Sequence, residues 1–269
     1  MSEIIIVYSK ETAALDPTQS GFAHGFGVFE TMKLVDGRLC FWKAHWNRLL
    51  ASARFFELEL PFAADAVLAA IRKLVSVDVI SDGMIKLSLM RDGAGTRLFV
   101  YARAAAAVPS TASLKLDEIY PINQRSLLAG HKTHNYMENM ALYQSARAEG
   151  FFDTLRMNTN GEIAETTTGN FFFIKNGQLC TPSLDSGILP GVIRGDLLKL
   201  CDVSQARYRL DDLKLAEAAF MTNSSCGLLA IDRLVGAEST LEWESRSHPL
   251  FDELSILLAA AEGECLITL

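Results

Sequence analysis

The sequence predicts an α+β fold in two domains: a small N-terminal domain over residues 1–105, a linker at 106–111, and a larger domain with a mixed sheet over 112–269. Three observations predict it. The first third reads as two hairpins and two helices. A stretch without periodicity, "AAAAVPSTA" at 104–112, then interrupts the pattern around Pro109. Beyond it, strand-like and helix-like segments alternate.

The opening "MSEIIIVYSKE" has five consecutive apolar residues, Ile4 to Tyr8, between Glu3 and Lys10. That run is too short for a signal peptide and fits a first strand. "VFETMKLVDGRLCFW" (28–42) reads as a hairpin turning at Asp36-Gly37. In "KAHWNRLLASARFF" (43–56), Trp46, Leu49, Leu50, Ala53 and Phe56 fall at helical spacing, and "ADAVLAAIRKLVSV" (64–77) is a second helix. "MIKLSLMRDGAGTRLFVYARA" (84–104) is a hairpin with a glycine-rich tip. "YMENMALYQSARAEG" (136–150) reads as a helix closed by Gly150. Strands with turns at Asn160-Gly161 and Asn176-Gly177 follow, then helices over 192–201 and 248–261.

Composition excludes several classes of function. Apolar residues make up 49% of the 269, which suits packed cores rather than disorder. The net charge of −7 gives no global attraction to nucleic acid or to an anionic membrane, so an anionic substrate needs local cations. The five cysteines are scattered without a CxxC pair, which argues against a disulfide framework or zinc ribbon and for a reducing cytoplasm. No apolar run approaches the ~20 residues of a membrane-spanning helix.

The motifs, taken singly, leave their roles open. "GFAHGFGVFETM" (21–32) is glycine-rich, but its glycines lead into a strand, so it reads as a turn before a hairpin and not as a dinucleotide loop. His131 and His134 have HxxH spacing without convincing further ligands, so no metal is expected. Lys132, between those histidines in "GHKTHNYMENM", could be a surface charge, a phosphate holder or a covalent catalyst. Glu165 alone reads as a solvated carboxylate. In "SGILPGVIRGDLLKL" the N–H groups of Val192 and Ile193 open a helix after Pro190-Gly191, an anion site or an ordinary junction. "FMTNSSCG" (220–227) ends a strand in small polar side chains, suited to a phosphate or to a plain turn.

In order, "HGFGVFETMKLVDGRL", "HWNRLLASA", "KTHNYMENMAL", "NTNGEIAETTTGNFFFI", "TPSLDSGILPGVIR" and "AAFMTNSSCGLL" resemble the class IV aminotransferases, the fold-type IV pyridoxal-phosphate enzymes. The resemblance covers nearly the whole chain. It implies a small α/β domain, a larger domain with a mixed sheet or barrel, and pyridoxal 5'-phosphate as cofactor. It also implies a homodimer with the active site at the domain and subunit interface. Lys132 then corresponds to the lysine that anchors the cofactor covalently and shuttles protons. Glu165 becomes the partner of the pyridine nitrogen, and Arg48 a grip on the phosphate. Val192, Ile193 and Ser224 complete the phosphate cup, Leu189 packs on the ring, and Tyr136 contacts the phenolic oxygen.

Three branches of the family compete. Many of its transaminases have threonine where Ile193 stands, whereas an apolar residue there also occurs in the 4-amino-4-deoxychorismate lyases. Asn223 in "MTNSS" and the tip of "IKLSLMRDGAGTR" resemble the lyases too. The branched-chain and D-amino-acid aminotransferases tend to carry Arg-Pro or Arg-x-His there. The resemblance therefore implies cleavage of 4-amino-4-deoxychorismate to p-aminobenzoate and pyruvate, a reaction of folate biosynthesis. Asn223, Arg91 and Arg97 are the substrate-binding candidates, and a class IV aminotransferase for branched-chain or D-amino acids is the alternative.

Overall fold

The computed structural model describes residues 3–8 and 15–269. Contacts divide the chain into two compact units. The first is made of residues 1–106, 131–136 and 262–269, and the second of 107–130 and 137–261. This differs from a single cut at 106–111, because the Lys132 segment and the C-terminal tail both return to the first unit. The coil begins at residue 104, and a strand already starts at Thr111.

The first unit begins with β1 (Glu3–Val7); Lys10 lies outside the described residues. Then come α1 (Ser20–Ala23), β2 (Gly27–Val35), β3 (Arg38–Leu39), α2 (Trp42–Phe55), α3 (Ala64–Asp78), β4 (Gly83–Asp92) and β5 (Gly95–Arg103). Asp36 and Gly37 both have positive φ, 48° and 70°, as a tight hairpin requires. The strand order is β1-β5-β4-β2-β3, with the last strand of the chain added beside β3. β1 runs parallel to β5, while β2, β4 and β5 are antiparallel.

Alternation divides this sheet into two faces. Val28, Met32, Leu34, Ile85, Leu87, Leu89, Leu98 and Val100 pack with Trp46, Leu49 and Ala53 of α2 and Val67, Ile71 and Leu74 of α3. The opposite face carries Phe29, Thr31, Lys86, Ser88, Phe99 and Tyr101, aligned in rows by Phe29↔Ser88↔Phe99 and Thr31↔Lys86↔Tyr101.

The second unit contains β6 (Thr111–Ile122), α4 (Met137–Ala148), β7 (Asp153–Asn158), β8 (Ile163–Thr166), β9 (Asn170–Lys175), β10 (Gln178–Pro182), α5 (Val192–Leu200) and β11 (Val203–Ala206). α6 (Leu210–Leu213), β12 (Ala218–Asn223), β13 (Gly227–Val235), β14 (Thr240–Glu242) and α7 (Pro249–Glu264) follow, and β15 (Ile267–Thr268) is the strand that joins β3. Strands β9-β12-β13-β6-β7-β8 form a ring, because β8 pairs back onto β9 through Glu165↔Asn170. The barrel so closed is filled by Leu114, Leu116, Leu155, Ile163, Phe171, Phe173, Met221, Leu229 and Ile231. β10 and β11 extend from β9 outside the ring.

The pairing of β7 with β8 slips between Leu155 and Met157. Leu155 pairs with Thr166 and Met157 with Ile163, so β8 carries one residue more than its partner. Such a bulge reverses the facing of the side chains beyond it. Ile163 thus packs in the lumen, whereas Glu165 joins Asn170 on the outer face.

Leu155 is fully buried in the lumen. Leu155→Ala should destabilise the protein by about 3 kcal/mol through lost burial and a residual cavity. Urea unfolding should show a lower midpoint at unchanged slope.

Candidate active site

The first unit builds a site around Lys132. Its segment adds to the start of β2 like a short strand: the Phe29 N–H donates to the Lys132 carbonyl at 2.9 Å and the His134 N–H to Gly27 at 2.9 Å. Thr133 bridges Val28 between them, and the Asn135 amide donates to the Gly25 carbonyl at 3.1 Å. This answers why histidines flank the lysine. His131 stacks on Phe55 at 4.3 Å, and its Nδ1 lies 3.0 Å from the Ser52 hydroxyl of α2. His134 packs on Phe29 at 5.3 Å, with Nε2 2.7 Å from the Ser88 hydroxyl. The two imidazoles take different partners, which is not the convergence a metal needs. Among the described residues no group of three His, Cys, Asp or Glu could hold one.

The Lys132 ammonium lies 4.4 Å from the centre of the Phe29 ring and 5.0 Å from that of Tyr136. Tyr136 stands edge-on to Phe29 at 5.5 Å. The Lys86 ammonium lies 4.7 Å from the same Phe29 ring, and burial followed by repulsion from Arg103 lowers its pKa. Lys86 is therefore a second cation beside Lys132 that motif reading missed. The period-2 alternation of 84–90 carries the signal, since it places Lys86 and Ser88 on the face opposite Ile85, Leu87 and Leu89.

The helix-side face of the same sheet holds a buried ionic group. Glu30 accepts Nε and Nη2 of Arg48, each at 2.7 Å, and Nδ1 of His45 at 2.7 Å. Burial pushes the Glu30 carboxyl up, but Arg48 and then His45 more than offset it and hold it at about 2. Burial lowers the His45 pKa against the pull of Glu30. The fork of Arg48 is thus fixed by two parallel charge-assisted bonds rather than left to rotate. Neither Glu30 nor His45 stood out in the sequence.

The two arginines expected to bind substrate part company. Arg97 shares the Phe29 and Tyr101 face by alternation, and its Nε lies 2.6 Å from Asp92. Arg91 is one residue out of that phase. Within its own chain it turns to the helix side, where it donates to the Glu57 carbonyl at 2.8 Å and covers Phe26.

The second unit builds a site around Glu165. Oε2 accepts the Asn170 amide at 2.9 Å and the Leu189 N–H at 3.1 Å, and the same amide donates to the Leu189 carbonyl at 2.9 Å. Asn170 pairs across the strands with Glu165 on one side and Thr222 on the other. The three side chains therefore stand in one row. The Thr222 hydroxyl is buried with no hydrogen-bond partner.

Beside the row, Gly191 caps α5, where a Cβ would meet Asn170 Oδ1 at 1.9 Å and so displace the amide that holds Glu165. Val192 and Ile193 follow, with N–H groups lacking a preceding turn to bond, and the Ile193 side chain is buried. Asn223 spends its carbonyl inside its own turn, accepting N–H groups from Ser225 and Cys226 at 2.8 Å each. That Asx turn shapes the loop carrying Ser224. Asn170 and Thr222 were not legible as site residues, because only strand pairing sets them beside Glu165.

The family model of amino-transferase class IV matches residues 27–234. An aminodeoxychorismate lyase from Bacillus subtilis (strain 168) is 28% identical over 247 residues, covering 84% of this chain and 83% of its own. A D-alanine aminotransferase from Listeria monocytogenes serotype 4b (strain F2365) is 24% identical, with 85% of each chain covered. A solved structure from Legionella pneumophila, with the working name 4-amino-4-deoxychorismate lyase, is 26% identical at a TM-score of 0.86, covering 96% of this chain and 99% of that one.

Burial, then the Lys86 charge, lowers the His134 pKa to about 4. The unfolded imidazole protonates near 6.5. Stability from the neutral ring is therefore full above about pH 6.5 and declines as pH falls towards 4, by about 2–3 kcal/mol. His134→Gln should flatten that decline when thermal unfolding of both proteins is compared between pH 7.5 and 4.5.

Proposed function

The chain belongs to the class IV aminotransferase family, an enzyme family, and on that premise we propose that it is a pyridoxal 5'-phosphate lyase that cleaves 4-amino-4-deoxychorismate to p-aminobenzoate and pyruvate. The observation that carries the reading is a further ammonium group, that of Lys86, 4.7 Å from the centre of the same Phe29 ring that Lys132 approaches to 4.4 Å. The substrate has two carboxylates, and an acidic chain needs local cations to receive them. The lyase names of the B. subtilis relative and the Legionella structure favour the same branch. No helix among the described residues is long and apolar enough to cross a membrane, and we expect a cytoplasmic homodimer.

The residues present fit the cofactor. It needs an amine for its aldehyde, an anion beside its ring nitrogen and donors for its phosphate. Lys132 supplies the amine. Glu165 is held by two donors with a carboxylate edge defined, and the unpartnered Thr222 hydroxyl lies in the same row. The α5 N-terminus opens after a glycine where a side chain would displace the Asn170 amide. Val192 and Ile193 through their N–H groups, Ser224 through its hydroxyl, and Arg48 in the orientation set by Glu30 would take the phosphate. Leu189 would pack against the ring and Tyr136 would contact its phenolic oxygen. When bound, the cofactor supplies an electron sink next to the substrate nitrogen.

The chain's own residues then do the rest. Lys132 Nζ takes the proton from the ring carbon that bears the nitrogen. Loss of the enolpyruvyl group as pyruvate leaves an aromatic ring. The products together have the formula of the substrate, so the reaction needs no oxidant and no second amino acceptor. Lys86 and Arg97 would hold the carboxylates, with Asn223 shaping the adjoining loop. Arg91 would take part only if the loop that carries it serves a partner subunit.

Lys132→Ala should fold and lose turnover, since anchor and proton carrier go together. Glu165→Gln should retain cofactor and slow turnover by about 10²-fold, read at saturating cofactor. The branch is tested by comparing cleavage of 4-amino-4-deoxychorismate, without added 2-oxo acid, with transamination of leucine and D-alanine by 2-oxoglutarate. Faster transamination would overturn the lyase reading and leave the aminotransferase. Lys86→Ala should raise KM for the lyase substrate at least about 10-fold if the paired carboxylate is desolvated.

A further inference from the structure

The β8–β9 hairpin carries both Glu165 and Asn170, and its turn is unusual. The Thr166 N–H donates to the Gly169 carbonyl at 2.8 Å, so the loop is Thr167-Thr168. Two-residue hairpin loops that match strand twist normally use residues at positive φ. The chain does so at Asp36-Gly37 and Asn176-Gly177, where all four residues have positive φ. Thr167 and Thr168 are β-branched and not among the positive-φ residues. Their turn is therefore not selected by its own chemistry.

It is held from outside. Asp153 of β7 has 0% exposure. Its Oδ1 accepts the Thr167 hydroxyl and the Thr154 N–H, and its Oδ2 accepts the Thr168 N–H at 3.1 Å and hydroxyl at 2.5 Å. A second brace is the Asn139 amide of α4, which donates to the Thr167 carbonyl at 3.0 Å. Asn139 is itself held by the buried Arg156, at 3.0 Å.

An ionised carboxylate is acceptor-only, which suits four donors converging on it. Burying a carboxylate is costly, and the burial pushes the Asp153 carboxyl up. A glycine or asparagine turn would close the hairpin without that cost. One step beyond the flanking residues Thr166 and Gly169 stands the pair that closes the barrel, Glu165 and Asn170.

We propose that Asp153 is a positioning residue for this pair: by gripping both loop threonines it sets the register and aim of Glu165 against Asn170 and Leu189. This deepens the proposed function, and rests on it only where cofactor is used as a probe.

The test uses the full-length protein. In the apoprotein, the Glu165 carboxyl is titrated by carbon-13 NMR in wild type, Asp153→Asn, Asn170→Ala, Thr168→Val and Thr168→Ser. Asp153→Asn keeps the volume but turns an N–H2 group towards the threonine donors. Its Glu165 midpoint should move in the same direction as that of Asn170→Ala. Thr168→Val should move it partway, and Thr168→Ser, which keeps the hydroxyl, should restore the wild-type value. With added pyridoxal 5'-phosphate, the pH midpoint of the visible absorbance should shift in the same variants, with kcat down about 10-fold and KM within about 2-fold.

A lower melting temperature with unmoved Glu165 titration in Asp153→Asn would make the aspartate merely structural and overturn the proposal. Should Asp153→Asn not fold, equal titrations in Thr168→Val and Thr168→Ser would overturn it as well. A wild-type protein that gives no visible chromophore with pyridoxal 5'-phosphate would sink the proposed function instead, leaving the apoprotein titration to decide the role of Asp153.

Discussion

The pairing of Glu165 with Asn170 is the constraint on which the second unit depends. It is the bridge through which β8 meets β9, and so it closes the ring of six strands. It also defines the carboxylate, because the amide that pairs with Glu165 reaches on to the Leu189 carbonyl at 2.9 Å. The loop that ends in Gly191 is tied to the barrel by the same side chain. One asparagine thereby links the acid, the loop before α5 and the start of that helix. Closing the barrel and aiming the acid are a single event.

The first unit shows the same economy. Lys132 is placed by main-chain bonds to the edge of β2, and two histidines whose pKa values burial lowers seat the segment from either side. Gly27 allows the approach, since a Cβ there would meet the His134 ring at 2.7 Å and the Leu89 carbonyl at 2.5 Å. Phe29, next but one, presents its ring to two ammonium groups, while its neighbour Glu30 turns to the opposite face and grips Arg48. Strand alternation thus puts an aromatic floor and the orienter of an arginine on consecutive residues. The separation keeps the Glu30 charge on the face away from the Phe29 ring.

Much of this is legible in the amino-acid sequence alone. The elements over 43–56, 64–77 and 192–201 were readable because apolar residues at helical spacing, or a Pro-Gly stop, announce a helix locally. The turns at Asp36-Gly37 and Asn176-Gly177 were readable because their residues tolerate positive φ. Lys132, Glu165 and Arg48 were singled out by motif order. What escaped was relational. Lys86 and Asp153 carry no local signal of their surroundings, because each is set by pairing with distant segments. Arg91 and Arg97 look equivalent until the register of the hairpin, Arg91↔Thr96 and Met90↔Arg97, puts them on opposite faces of the sheet.

The sequence by itself determined the family, the helices and the tight turns, and it singled out Lys132 as the lysine proposed to react, because each rests on residues close together in the chain. The tertiary structure decided the facing of Glu165, which a one-residue slip between β7 and β8 reverses relative to Ile163. It decided that residues 131–136 belong to the first unit, by hydrogen bonds to a strand more than a hundred positions earlier. It also decided that Asp153 holds a turn some fourteen residues away. Register, bulges and long-range hydrogen bonds are properties of pairs of segments, and a pairing is chosen by the whole folded chain rather than by either partner alone.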